Sequence, residues 1–311
     1  MNLLKTSSFF YLCIRIIKLY LMCMSIFAPL HIKSGYSFLR SGLTIQKIAS
    51  AVKKQDYYGA GLTDDALFGA HEFFDSLKEI KKPAILGMEI VLNNDNISLF
   101  VLDEDGYRNL IKINYFVQQE KLDLKQLRNY SKGLLAVIET KYGDFRSNFL
   151  EFGETPKFTK YLLDISDCFK DNFYLGLEVT SKEDVAYANS IRKFADKFTY
   201  KCVAFPRILY VNKEDAIVLD IVNAIKNEED LEIKSREGQE YFMTEINYKK
   251  IYSTTELKNS IEIINASKFD LYQKRGSMLK FTPNDSSEEL RNHCYTLSID
   301  WVSKIMNIFL D

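Results

Sequence analysis

Between about residues 28 and 225 the chain alternates short apolar runs of strand length with longer amphipathic runs of helical period. This alternation constrains the fold more than any other feature. The strand-like runs are APLHIKS (28–34), YYGAGLTD (57–64), AILGMEIVL (84–92), ISLFVLD (97–103), GLLAVIE (133–139), FYLGLEV (173–179) and YKCVAF (200–205). Most are bounded by glycine, proline or charged residues, as strands usually are. The helical runs cover 44–55, 66–80, 104–119, 158–169, 181–198 and 213–225. In the first of them Ile45, Ile48, Ala49 and Val52 share one face, with Thr44 as N-cap. Ser181 followed by Asp184 reads as a capping box with a shortened acid. Strands separated by such helices predict βα units with parallel strands, in a TIM-like barrel or a doubly wound sheet. Folds of this class place their chemistry at the C-terminal ends of the strands. Those ends carry His31, Asp64, Glu89, Glu178 and Pro206.

Beyond residue 227 the pattern changes. EEDLEIKSREGQE (228–240) is too charged to be buried, and two short helices follow at about 244–252 and 254–267. FTPNDSSEEL (281–290) is rich in turn formers and leads into a last helix that runs to Phe309. The expected organisation is a barrel over 26–227, a helical extension closing the domain over 228–280, and a linker and helix over 281–311. No internal repeat is visible.

Composition removes several alternatives. Apolar residues make up 47% of the chain, enough for a sizeable core and too many for a disordered segment. Lys and Arg number 41 against 42 Asp and Glu, so the basic excess of a dedicated nucleic-acid binder is missing. The cysteines, Cys13, Cys23, Cys168, Cys202 and Cys294, are scattered without a CxxC pair, the pattern of reduced thiols in a cytoplasmic protein. The N-terminal stretch 9–30 is apolar but holds Arg15 and Lys18. Each charge at the middle of a membrane span costs roughly 2.5–3.5 kcal/mol, and the uninterrupted apolar runs fall well short of the ~20 residues a span needs. Nor does a signal peptide carry charges inside its apolar region. Residues 1–25 are therefore expected to be a helical leader, or the product of a misplaced start, outside the fold. A membrane-surface helix is the alternative.

Several segments, in order, resemble the PHP domain (polymerase and histidinol phosphatase) of the alpha subunits of bacterial replicative DNA polymerase III. HIKSGYSFLRSGLTI (31–45) is similar to the first motif of that family, which pairs two histidines one residue apart ahead of Ser-x-Tyr-Ser-x-Leu. GLTDDALFGAHEFF (61–74) resembles the second, and KPAILGMEIVL (82–92) the third, which ends in Gly-x-Glu. DEDGYRNLIKI (103–113), YKCVAFPRILYVNKEDAIVLDIVNAI (200–225) and FMTEINYKKIYSTTELKNSIEII (242–264) resemble later segments of the domain. SSEELRNHCY (286–295) resembles the lead-in to the polymerase palm. The resemblance covers about 27–300. It implies an α/β fold, a TIM-like (β/α)7-type PHP barrel with a C-terminal helical extension.

In active members of the family, histidines and carboxylates hold two or three metal ions that activate water against a phosphoester. Carried over motif by motif, the resemblance places His31, Asp64 and Glu89 at ligand positions, with Asp65 standing where a histidine is usual. Lys33 replaces the second histidine of the first motif, Arg40 falls where an aspartate is frequent, and Arg207 and Leu209 occupy the Asp-x-His positions of the last motif. The chain has only three histidines, His31, His71 and His293, so none lies between 72 and 292. His71 sits on a helix face and His293 in the tail. Asp65, a hard oxygen donor, leaves room for one weakly bound Mg2+ or Mn2+. Lys33 and Arg40 bring positive charge to where metal charge belongs, and are expected to pair with Asp64, Asp65 and Glu89 in a salt-bridged pseudo-site.

Apart from the resemblance, His31 reads as a hydrogen-bonded structural histidine, and Asp64 reads equally well as a helix cap. The expected function is a structural and interaction domain of the replicative polymerase. Its partners would be the rest of the alpha subunit or the holoenzyme, and a proofreading exonuclease subunit, with DNA met only indirectly and no membrane. The competing function is a residual metal-dependent phosphoesterase or 3′–5′ exonuclease. Nucleotidyl transfer needs paired palm carboxylates, which in this family lie downstream of Asp311, so no polymerase activity is expected of these residues. An unrelated amidohydrolase-like barrel also needs several histidines at strand ends, and the same scarcity argues against it.

Overall fold

A computed structural model describes residues 25–152, 155–231, 239–272 and 286–308. Chain segments up to Asp270 make one compact unit, and Leu271 onward makes another. In the second unit the one described element is a helix, Ser286–Ile308. The expected leader and the turn-rich segment 281–285 lie outside the described residues.

The first unit is built on a six-stranded sheet in sequence order: β1 (Ala60–Leu62), β2 (Ala84–Leu92), β3 (Asp95–Val101), β4 (Leu134–Glu139), β5 (Phe173–Leu177) and β6 (Lys201–Ala204). The helices are α1 (Ile45–Lys54), α2 (Ala70–Glu79), α3 (Glu104–Gln118), α4 (Leu124–Asn129), α5 (Gly143–Phe152), α6 (Pro156–Phe169), α7 (Lys182–Phe198), α8 (Ile217–Asn227), α9 (Glu245–Ile251) and α10 (Thr254–Ala266).

The α/β barrel expected from the alternation is what forms, and the segment before α1 completes it. On one side Gly61 and Thr63 donate from their backbone N–H groups to the carbonyls of Pro29 and Ile32. On the other, Lys33 and His31 exchange backbone hydrogen bonds with Ile208, which forms an isolated parallel bridge to Ile32. Residues 29–33 thus lie between the edge strand β1 and the segment that follows β6.

One expectation about direction is corrected. β3 runs antiparallel to both β2 and β4, while the remaining neighbours are parallel. Only Asn93 and Asn94 separate β2 from β3, too few for a parallel crossover. Both adopt positive φ, which Asn tolerates and a two-residue hairpin turn demands.

Local signals account for the helix boundaries. Thr44 accepts from Lys47 N–H, and Ser181 with Asp184 forms the predicted capping box. α6 begins two residues earlier than its apolar pattern suggests, because Thr155 caps it and Pro156 sits in the first turn. α2 starts at Ala70 rather than 66, with Gly69 as its N-cap residue pressed against the Tyr36 ring. A side chain at 69 would meet that ring.

The side chains divide into two apolar layers. Leu86, Met88, Leu134, Ala136 and Ile138 pack outward under the helices. Ile85, Phe100, Leu135, Val137, Val203 and Phe205 fill the barrel. Alternation along β2 and β4 then continues the inward series to Glu89, in the C-terminal half of β2, and to Glu139, the last residue of β4. Phe100 lies over Gly87, where a Cβ would meet its ring. The charged mouth therefore sits directly on an apolar plug.

Candidate functional site at the barrel mouth

His31 is fully buried, with its ring stacked on Phe205 at a centroid distance of 4.6 Å. Its Nε2 lies 3.0 Å from Glu89 Oε2 and 3.4 Å from Glu139 Oε1. These three side chains bring one donor atom each within 4.8 Å of one another, the one such histidine-and-carboxylate group among the described residues.

Cations surround this trio. Lys33 Nζ reaches Asp65 Oδ1 at 2.7 Å and Glu89 Oε1 at 3.1 Å, and donates to the Thr63 carbonyl at 3.1 Å. Arg40 lies above, with Nε 3.0 Å from Asp65 Oδ2 and Nη1 3.5 Å from Glu89 Oε1. Across the mouth Arg207 Nη2 donates to Glu139 Oε2 at 2.6 Å, and its Nε is 3.8 Å from Glu178 Oε2. The Arg207 guanidinium also covers the Tyr142 ring at 4.9 Å, and Tyr142 donates to Glu178 at 3.3 Å. Lys141 Nζ is 3.2 Å from both Glu178 Oε1 and Asp184 Oδ2, and Arg146 is 3.7 Å from Asp184. Asp65, Glu89, Glu139, Glu178 and Asp184 are thus matched one for one by Lys33, Arg40, Arg207, Lys141 and Arg146.

These contacts shift the titrations in opposite directions. Burial alone would raise the Glu89 carboxyl, but His31, Lys33 and Arg207 together hold it well below its ordinary range. At Glu139 burial dominates and the carboxyl is raised, despite His31 and Arg207. Burial would lower Lys141, but Glu178, Tyr142 and Asp184 raise it. Arg207 is raised by its surrounding glutamates against the effect of burial.

The residues singled out from sequence end up in two places. His31, Glu89, Asp65, Lys33, Arg40 and Arg207 converge at the mouth. Asp64 does not: it accepts from Ser34 N–H at 2.7 Å, Ser34 Oγ at 2.6 Å and Ser37 Oγ at 2.7 Å. Among the described ion pairs it has none, so the expected pairing of Asp64 with Lys33 or Arg40 is corrected. Burial raises its carboxyl, and the serine hydrogen bonds only partly offset this. Asp64 thereby fixes the turn that carries Arg40. His71 is exposed on α2 and faces Asp75 at 3.3 Å one turn away. Leu209 is a pocket wall.

Sequence reasoning missed Glu139, Lys141 and Asp184 as members of the site. Glu139 had a legible signal, since it ends the apolar strand β4, as Glu178 directly follows β5. Lys141 and Asp184 had none, because one follows a strand in an unremarkable loop and the other is already explained as a cap.

The charges decide whether the donors His31, Glu89 and Glu139 suit a divalent metal. The geometry is favourable, and Glu139 Oε1 has no hydrogen-bond partner. However, Glu89 Oε1 is held by Lys33 and Arg40, and Glu139 Oε2 by Arg207. A dication placed among them would face neighbouring cations in a mouth whose acids are already matched. One imidazole and two committed carboxylates do not fit a centre of two or three metal ions.

The family model of the PHP domain matches residues 29–180. The DNA polymerase III subunit alpha of Mycoplasma genitalium is 25% identical over 281 residues, 87% of this chain and 29% of the relative. That of Aquifex aeolicus is 25% identical over 64% of this chain and 20% of the relative. That of Bacillus subtilis is 26% identical over 66% and 19%. The chain thus spans less than a third of the length of these curated relatives. Among solved structures, a two-domain protein from Bacteroides vulgatus containing a predicted PHP-like metal-dependent phosphoesterase aligns over 77% of this chain and 68% of its own. The identity is 8% and the TM-score 0.43.

Proposed function

We propose that this chain, which carries a PHP domain related to those of bacterial DNA polymerase III alpha subunits, serves DNA replication as a structural and interaction domain rather than as a phosphoesterase. The observation that carries this reading is the matching of acids and cations at the strand ends, where metal ions would otherwise supply Lewis acidity. Lys33, Arg40 and Arg207 take over the electrostatic task of the metals and cannot take over their chemistry, since none of them holds a water as a nucleophile. The partners on this reading are the rest of a polymerase III alpha subunit and its holoenzyme, a proofreading exonuclease subunit among them. DNA is met only indirectly, and the setting is cytoplasmic. No helix among the described residues is long and apolar enough to cross a membrane.

A second reading, a residual phosphoesterase or 3′–5′ exonuclease, is favoured by one observation, the proximity of the His31, Glu89 and Glu139 donors. One experiment separates the two. The chain is assayed for hydrolysis of p-nitrophenyl phosphate and of a 3′-labelled oligonucleotide with added Mn2+ or Zn2+, and its tagged form is used to recover partners from its own cells. The structural reading expects no hydrolysis above buffer and recovery of a polypeptide with a polymerase palm. Hydrolysis that is lost on His31→Ala would establish the enzyme instead.

A further inference from the structure

α8 (IVLDIVNAIKN) is apolar on nearly every side, the composition of a buried helix. Two of its sides are taken up by the barrel. Leu219, Asn223 and Lys226 face the mouth, and Val218 lies over Gly42, where a Cβ would meet it. The third side carries Ile217, Ile221 and Ile225, which are 41%, 41% and 59% exposed. Isoleucines at every fourth position form a ridge of the kind that another helix packs against. Charge flanks this ridge unevenly. Glu214 precedes α8, and Glu228, Glu229 and Asp230 follow it, all exposed, against Lys213 and Lys226. A second apolar feature, the stretch 9–22, lies outside the barrel motifs. Residues 1–24 carry Lys5, Arg15 and Lys18 and no acid. Read at helical period, Phe9, Cys13, Ile16 and Tyr20 share one face of that stretch, with Arg15 and Lys18 on the other.

We propose that residues 9–22 of the chain itself dock on the Ile217, Ile221 and Ile225 ridge of α8, apolar face to apolar face, with their cations in the negative field of the acids that flank α8. The inference is independent of the reading of the mouth. Charge selects this occupant over a second copy of the chain, because two α8 helices side by side would set acidic ends near acidic ends in either direction. The reach also suffices. Ser25 donates to Glu245 at the start of α9. Phe242, three residues earlier, donates its N–H to the Val211 carbonyl, two residues before the turn that leads into α8. A helix over 9–22 on the short tether 23–24 extends about 30 Å from Ser25, a reach of the same order as that path.

The test is thiol trapping in the full chain. In Ile221→Cys, diamide should couple Cys13 to the introduced thiol within one chain. The two thiols give up their protons and two electrons to the reagent, which is reduced to the hydrazine, and one S–S bond forms. Peptide mass spectrometry should find this bond about tenfold more often than the bond from Cys13 to the thiol of Lys125→Cys, exposed on α4, because docking raises the effective concentration. A second measurement does not depend on the register of the two helices. Ile221→Glu with Ile225→Glu should speed tryptic cleavage after Arg15 and Lys18 roughly tenfold by populating the undocked segment. Lys125→Glu should leave that cleavage unchanged. Both isoleucines are exposed, so the fold should persist, which circular dichroism checks. Accelerated cleavage without trapping supports the docking in a shifted register. Cleavage as fast in the parent as in the glutamate variant overturns the proposal, whatever the trapping shows. A disulfide between two chains overturns it by assigning the ridge to a second copy. Binding of the parent to phosphatidylserine vesicles through residues 9–22, with no trapping within the chain, overturns it by assigning the segment to a membrane surface. A natural chain whose mass places its first residue after Met22 overturns it as well.

Discussion

The two arcs of the barrel mouth use the same pairing of acid and cation and differ in their access to water. On the arc formed by residues 31–89 the outer pair, Arg40 and Asp65, is 42% and 37% exposed at the side chain. On the arc formed by residues 139–207, Glu139 and Glu178 are 3% and 4% exposed and their partner Arg207 is 18% exposed. Water and salt can replace a lost partner at this rim of the first arc, where exposed pairs are worth about 0–1 kcal/mol. On the second, a group that loses its partner must stay charged in a medium of low dielectric or change its protonation, at several times that cost. Counting ion pairs would rank the exposed rim of the first arc with the second arc, whereas burial makes Arg207 with its glutamates, and the Lys33–Glu89 pair at the floor of the first arc, the pairs on which the fold depends.

The largest effect is expected on the buried arc. Arg207→Ala should cost about 3–5 kcal/mol, because Glu139 and Glu178 lose a buried counter-charge. Urea unfolding of the variant measures it. A loss under about 1 kcal/mol would erase the difference between the arcs. Replacing the pair together, Arg207→Met with Glu139→Leu, should recover much of the loss, since the unpaired charge is then gone. Next comes Lys33→Met, at the buried floor of the first arc, with about 2–3 kcal/mol. The amine gives up charge-assisted bonds, while Arg40 stays beside Glu89.

A smaller difference separates the two glutamates by pH. Glu89 has its carboxyl held below its ordinary 4.5, so its contribution to stability is full above that value and is lost as pH falls through the folded value. Glu139 is raised from 4.5, so the folded state holds its proton more tightly. Its contribution is full below 4.5 and is lost as pH rises through the folded value. Glu89→Gln should therefore flatten the acid limb of a stability–pH curve, and Glu139→Gln should relieve the loss on the rising side. Curves shifted alike by both variants would contradict the asymmetry. The smallest effect belongs to Arg40→Ala, less than about 1 kcal/mol and fading in high salt.

What could be read in the sequence follows the same boundary between local and non-local causes. Thr44, Ser181 and Asp184 announce their helices, because a cap acts within three residues. The strands were visible as apolar runs, yet β3 runs against both neighbours, and only the length of the Asn93–Asn94 turn carries that information. In the mouth, His31, Lys33, Arg40, Asp65 and Glu89 were found because motif resemblance marks them. Asp64 was misplaced because a carboxylate next to a strand end can turn to either side, and Ser34 and Ser37 decide which. Glu139 ends a strand with no motif, and Lys141 follows it in a loop. Glu139 meets Arg207, 68 positions along the chain, and Lys141 meets Glu178 and Asp184, contacts that only the folded sheet supplies.

The central claim is that side-chain cations hold the charge of this mouth in place of metal ions. It is tested most directly by metal analysis of the chain purified in the presence of Mn2+ and then dialysed, together with its melting temperature with and without EDTA. The account predicts far less than one metal per chain and no change in melting temperature on chelation. A full equivalent of retained metal, with a melting temperature that falls when EDTA removes it, would contradict the account.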